Sequence, residues 1–399
     1  MTSLCGQLPP LALYIHMPWC ESKCPYCDFN SHPLYDLPEA DYIDCLLQDL
    51  EADLTKIQHR PIVSLFVGGG TPSLFSARSI QRLMDGVASR VELADDLEAT
   101  MEANPGSAES SKFQGFRAAG INRLSLGVQS FQDTALQQLG RIHNSDEALV
   151  AIEMAQATGF DCVNIDLMHG LPGQSTLSAM ADLSVALNQQ PAHLSWYQLT
   201  IEPNTLFHRQ PPTLPREEIM GDIEAQGLQQ MKDAGLQQYE VSAYARPSYR
   251  CRHNLNYWSF GDYLGIGAGA HGKITLPAEG RVIRRTRTRH PETYMQQQGS
   301  DRISEERELN EQDLVFEFML NALRLVKGFD KDLFSQRCGL SAQLLKQPIN
   351  EALNLKLLSD LNGQLQPTSL GLQFHNDLQA LFLDVDISQK LAIEPETHF

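Results

Sequence analysis

The sequence predicts an α/β fold built on a parallel sheet, followed by a small helical domain. Three observations carry that expectation. Short apolar runs alternate with amphipathic stretches up to about residue 205, polar residues recur at the C-terminal ends of those runs, and the pattern changes beyond residue 300. Strand, helix, strand at this spacing implies right-handed βαβ units.

The predicted strands are LALYIHM (11–17), IVSLFVGG (62–69), LEATMEAN (97–104), RLSLGVQS (123–130), CVNIDLMHGLP (162–172) and HLSWYQLT (193–200). Helices are expected between them, over 42–57, 79–91 and 145–159. Ser145 reads as the N-cap of the last and Gly159 as its C-terminal stop. About six units fit, either a stretch of a full eight-fold barrel or an incomplete, open one. QYEVSAYAR (238–246) reads as a further strand. Glu102 and Asn104, Gln129 and Ser130, and Asp166 and His169 stand at strand ends. In parallel α/β folds that end carries the chemistry, and three strands ending alike point to a shared site.

The tail is different. Residues 308–328 read as a long amphipathic helix ending in glycine, followed by a helical stretch over 340–359. Asn362-Gly363 is a two-residue hairpin signal. Helices followed by a hairpin suggest a winged-helix-like domain. Residues 351–399 hold seven acids against two lysines, which favours a lid or docking role over DNA binding.

Composition supports a globular chain. Of 399 residues, 42% are hydrophobic and 20% charged. The net charge of −18 argues against nucleic-acid binding, which draws on basic side chains. The basic run RVIRRTRTRH (281–290) reads as a solvated strand or loop face. No stretch reaches the ~18 apolar residues of a membrane helix, so no integral membrane segment is expected. MTSLCGQLPP lacks the features of a signal peptide, which makes a cytoplasmic location the expectation.

Eight cysteines occur, and three of them, Cys20, Cys24 and Cys27, fall in CESKCPYC. The other five read as inert thiols. Two metal centres compete for C-x3-C-x2-C. A structural zinc takes four ligands, with His16 or His32 as the fourth. An iron–sulfur cube on three thiolates leaves one iron with an open coordination position. The cluster follows the first predicted strand, at the active end of the fold. Tyr26 offers an aromatic face there. GGGTP (68–72) ends the next strand, and its glycines admit close backbone approach to a ligand. It is not a Walker loop.

CESKCPYC, GGGTP and the strand–helix series resemble the radical SAM superfamily. The resemblance implies an incomplete (β/α)6-type barrel. It also implies a [4Fe-4S] cluster on Cys20, Cys24 and Cys27, with S-adenosylmethionine (SAM) on the fourth iron. An electron from a donor to the cluster then cleaves the sulfonium.

YIHMPWCESKCPYC, FVGGGTPS, RLSLGVQSF, NIDLMHGLPGQ and the tail are similar to the oxygen-independent coproporphyrinogen oxidase group. That likeness implies SAM contacts at Tyr14, Gly69 and Glu102. It implies a second SAM at Tyr26, Gly70, Thr71, Gln129, Arg141 and Asp166, with Thr200 at a position where the side chain departs from the pattern. Two further departures matter. Phe29 stands where the oxidase has a fourth cysteine, and nineteen residues precede Cys20 where the oxidase carries a long arm. HNLNYW (253–258) matches the HNxxYW motif of the sister HemW family of haem chaperones. The match implies His253 as a haem-iron ligand, with Tyr257 and Trp258 as aromatic surface.

The expected function is a haem chaperone that passes haem to an unidentified acceptor protein. Its rival is an oxidase converting coproporphyrinogen III to protoporphyrinogen IX by two radical decarboxylations, and a third option is an unrelated radical SAM enzyme. GIGAGAHG (265–272) lacks the βαβ context of a dinucleotide site and reads as a glycine-rich turn near the cofactors, with His271 as a weaker haem or SAM contact. The expected units are a barrel over 1–245, a connecting segment over 246–300 and a C-terminal domain over 301–399.

Overall fold

The computed structural model describes residues 8–33, 36–106, 110–383 and 385. Six strands carry the predicted series: β1 Leu11–Met17, β2 Ile62–Gly69, β3 Leu93–Ala103, β4 Arg123–Gln129, β5 Cys162–His169 and β6 His193–Gln198. They pair in parallel, in sequence order. Helices buried against them explain the near-continuous apolar runs, since a parallel sheet covered by helices hides its outer face from water.

QYEVSAYAR is not one strand but two, β7 Gln237–Glu240 and β8 Ala243–Ala245, the second antiparallel to β6. The chain turns between them where the Ser242 N–H donates to the Glu240 carboxylate at 3.0 Å. Four more strands follow: β9 Asp262–Ile266, β10 His271–Leu276, β11 Arg281–Arg287 and β12 Ile303–Glu308. β9 joins the opposite edge, parallel to β1, and β10 to β12 continue as an antiparallel meander. The sheet order is therefore β12-β11-β10-β9-β1-β2-β3-β4-β5-β6-β8-β7.

Capping sets the helix limits. The helix Ser145–Thr158 is capped by Asn144 rather than Ser145. The Asn144 side chain accepts from the Glu147 N–H at 3.0 Å, and Glu147 accepts in return from the Asn144 N–H at 3.1 Å. Gly159 ends it in the left-handed region at φ 81°, as the sequence suggested. The expected 308–328 helix is shorter, Glu311–Ala322. Gly328 does not stop it. It turns the chain into the short strand Phe329–Asp330, where any Cβ would meet the Leu365 carbonyl oxygen at 1.8 Å. The 340–359 stretch divides into a 3-10 turn, the helix Lys346–Asn354 and the strand Leu358–Leu361. The Asn362-Gly363 hairpin forms, with both residues at positive φ.

The basic run is not a solvated face. Arg287 is 1% exposed and its guanidinium meets Asp53 at 2.5 Å and Asp49 at 3.0 Å. Arg285 also pairs with Asp53, and Arg284 with Glu317 at 2.6 Å. β11 lies inside the sheet, so its basic side chains reach acids on packed elements.

One apolar core runs beneath the twelve strands, and a second gathers residues 309–385 together with Phe260 and Val282. Cys45, Cys162, Cys251 and Cys338 are buried and unpaired, while Cys5 lies outside the described residues. Among the described residues, no helix is long and apolar enough to cross a membrane.

Candidate functional site

Side chains alternate across a strand, so every second residue of β2 to β6 faces the barrel interior. Those residues are largely polar: Thr100 and Glu102, Arg123 and Ser125, Asn164 and Asp166, His193 and Ser195. They line a single cavity of about 660 Å³. Its mouth lies at the C-terminal strand ends, under the cysteine loop.

Cys20, Cys24, Tyr26, Cys27, Gly69, Gly70, Thr71, Glu102, Gln129, Arg141, Asp166 and Thr200 all line this cavity. Twelve of the fourteen expected site residues thus share one space; Tyr14 and His253 do not line it. Tyr14 sits beneath, its hydroxyl 2.9 Å from His16 Nδ1. His253 is 4% exposed, with Nδ1 3.2 Å from the Ser64 hydroxyl and its ring 5.0 Å from Phe66. Burial holds its pKa down at about 3, so the imidazole is neutral. Within HNLNYW the residues facing the cavity are Asn254 and Trp258. Tyr257 instead stacks on Tyr263 at 4.1 Å.

The thiols have fitting neighbours. The Thr71 hydroxyl stands 3.5 Å from Cys20 Sγ, and Arg141 Nη1 3.6 Å from Cys24 Sγ. Burial pushes the Cys20 and Cys27 thiols up, offset at Cys20 by the Thr71 hydroxyl. The Ser31 hydroxyl, also on the cavity wall, opposes that rise at both Cys20 and Cys27. Hydrogen bonds of this kind tune sulfur ligands. His16 has both ring nitrogens engaged, by Tyr14 and by the Asn30 carbonyl at 2.8 Å. His32, the other expected fourth zinc ligand, lies against the His290 ring and does not line the cavity. Three thiolates on one cavity wall, with no imidazole beside them there among the described residues, fit an iron–sulfur cluster with one open iron.

The ligand pocket beside the cysteines is polar and buried. Glu102 accepts from the Gly69 N–H at 3.0 Å. Burial, with a smaller push from Asp166, raises its pKa to about 8 against the pull of that bond. Burial also raises Asp166, which accepts from Ser125 at 2.9 Å and Asn164 at 2.7 Å. Arg141 Nη2 donates to Asn104 and to the Gly127 carbonyl at 2.7 and 2.8 Å. Gln129 holds φ 71°, rare for a residue with a side chain, and accepts from the Tyr197 hydroxyl at 2.7 Å. Gly69 and Gly70 cannot be replaced cheaply: a Cβ would strike the His16 ring at 2.5 Å and the Trp19 carbonyl oxygen at 2.4 Å.

GIGAGAHG forms the turn between β9 and β10. Asn30, just past the cysteines, donates to the Ala268 carbonyl at 2.9 Å, so the turn supports the cysteine loop. His271 is exposed, bonds Thr286 at 3.2 Å and does not line the cavity. Thr100, Arg123, Asn164, His193 and Tyr197 were not singled out from the sequence. Their signal is the period-two recurrence of polar side chains within otherwise apolar strands.

A three-cysteine loop over the open end of a parallel β/α half-barrel defines a radical SAM protein. The radical SAM superfamily model matches residues 14–183, and the HemN C-terminal domain model matches 309–374. The chain belongs to the HemW family. It is 49% identical over 378 residues to the heme chaperone HemW of Escherichia coli K12, covering 94% of this chain and 99% of the relative. The Bacillus subtilis heme chaperone HemW is 31% identical, over 93% and 98% of the two chains. The solved E. coli coproporphyrinogen III oxidase HemN aligns with a TM-score of 0.78 at 24% identity, over 94% of this chain and 90% of that one, and speaks for the fold.

Proposed function

We propose that this protein is a haem chaperone, binding haem and passing it to an acceptor protein, with an iron–sulfur cluster and SAM as resident cofactors. The observation that carries the reading is the cavity mouth: three cysteines with a phenylalanine, not a sulfur, beside them, in a chain of the HemW family. Phe29 lines the cavity and is 56% exposed. An exposed aromatic at that place offers apolar surface.

Cys20, Cys24 and Cys27 would hold a [4Fe-4S] cluster with one iron left open to SAM. When bound, the cluster and SAM supply one-electron chemistry at the sulfonium. The chain's own residues do the rest. Glu102 would accept from the ribose hydroxyl groups of the nucleotide. Arg141, fixed by Asn104 and Gly127, stands ready for a carboxylate. Gly69 and Gly70 let the backbone approach. Haem supply and a cytoplasmic acceptor belong to the same reading.

Adding haem to anaerobically prepared protein should give a Soret band. His253→Ala tests the proposed axial ligand: because the imidazole is buried, the band should shift or weaken only if haem binding rearranges the motif helix. No band in the wild type would remove the proposal. Anaerobic incubation with coproporphyrinogen, SAM and reductant should give no protoporphyrinogen, and its appearance would favour the oxidase.

A further inference from the structure

The far end of the cavity, away from the cysteines, contains donors without acceptors. Thr100 and Arg123 are paired neighbours across β3 and β4, 1% and 4% exposed, and both face the cavity. The Thr100 hydroxyl and Arg123 Nη2 are buried and have no hydrogen-bond partner among the described residues. The same is true of Trp258 Nε1, on another part of the wall. Leaving such groups unpaired is costly, so their acceptor comes from a ligand or from water.

The arrangement favours an anion. Arg123 Nη1 donates to the Tyr249 carbonyl at 3.1 Å. Its nearest carboxylate, Glu98, lies 3.6 Å away, beyond a good hydrogen bond. The other Glu98 oxygen is taken by the Arg252 and His253 N–H groups, at 2.7 and 3.1 Å. Glu240 is also engaged, by Arg324 at 2.8 Å. A guanidinium arm and a hydroxyl on neighbouring strands remain, both able to donate. A planar carboxylate matches a guanidinium better than a neutral acceptor does.

We propose that Thr100 and Arg123 form a carboxylate-binding subsite one side-chain layer below Glu102 in the same cavity. Its ligand is either a free small carboxylate or a propionate of haem. The second source rests on the haem reading, and the first does not.

The test uses the full-length, cluster-reconstituted protein under anaerobic conditions. Sodium propionate is titrated calorimetrically. In parallel, haem and its dimethyl ester, which lacks free carboxylates, are titrated by absorbance. The subsite predicts either measurable propionate binding or haem binding about tenfold tighter than the ester. Thr100→Val should weaken the carboxylate-dependent step about fivefold or more, and Thr100→Ser should retain it. Propionate binding without any Soret band would sink the haem reading and keep the subsite. A Soret band with equal affinity for haem and ester, and no propionate heat, would overturn the subsite and keep the haem reading. Binding that Thr100→Val leaves unchanged would also overturn it, leaving a water-filled chamber only.

Discussion

Glu102 is the residue whose protonation state should report most directly on cofactor binding. A carboxyl raised to about 8 from 4.5 carries its proton at neutral pH in the free protein. The unfolded chain gives up that proton at lower pH, so the group's contribution to stability is full below about 4.5 and is lost as pH rises towards about 8. A cationic ligand such as SAM, with its sulfonium, favours the carboxylate. SAM binding at pH 7 should therefore release close to one proton from Glu102, beyond the proton the amino group of SAM loses on binding iron, read by calorimetry in buffers of different ionisation heat. Glu102→Gln should lower the proton count by close to one, and an unchanged count in that variant would contradict the assignment. The cysteines, Glu102 and Asp166 stood out in the sequence because a tight thiol cluster and carboxylates at strand ends interrupt apolar runs. Thr100 and Arg123 were not. They lie mid-strand or at its start, and only burial identifies them as unpaired donors. The burial of His253 was equally hidden, since it depends on Ser64 and Phe66 from a strand nearly two hundred residues away.

Among the elements, strands were more legible than helix limits. A largely apolar run whose outer face is covered by helices marks itself, whereas a helix end depends on which side chain captures the first N–H groups. Asn144 displaced Ser145 because only Asn144 stands three residues before Glu147. β11 misled for a related reason. Its arginines look solvated until Asp49, on the helix Glu39–Ala52, and Asp53, at the end of that helix, are placed against them. Removing one partner of a buried pair leaves uncompensated charge, so Arg287→Met should cost about 3–5 kcal/mol in urea unfolding. A loss below about 1 kcal/mol would mean that the buried acids accept protons at little cost. The motif helix Arg252–Trp258 depends on Glu98, whose carboxylate accepts from the first two N–H groups of the helix. Glu98→Ala should destabilise the protein and loosen Trp258, detectable as a shift in tryptophan emission. Unchanged emission and stability would show that the helix is held by packing alone.

At the scale of the whole molecule, the sheet and the C-terminal unit are joined by shared residues. Phe260 and Val282 pack in the second core, and Arg324 lies over the Trp258 ring at 4.3 Å while pairing with Glu240. Two units that share core residues should unfold together, so scanning calorimetry should show one transition. Two well-separated transitions would contradict the coupling. The composite nature of this join was beyond the sequence, because the residues that make it are scattered among Glu240, Trp258, Val282 and Arg324. The barrel, in contrast, follows from a local repeating pattern.

The claim on which the account rests is that three thiolates hold a cube with one iron open to SAM. The most direct measurement is electron–nuclear double resonance on anaerobically reduced protein with SAM labelled in its amino and carboxylate groups. Hyperfine coupling from the labelled nuclei to the cluster, absent in a Cys27→Ser variant, is the predicted result. Stoichiometric zinc in place of iron and sulfide, or a reduced cluster with no coupling to labelled SAM, would contradict it.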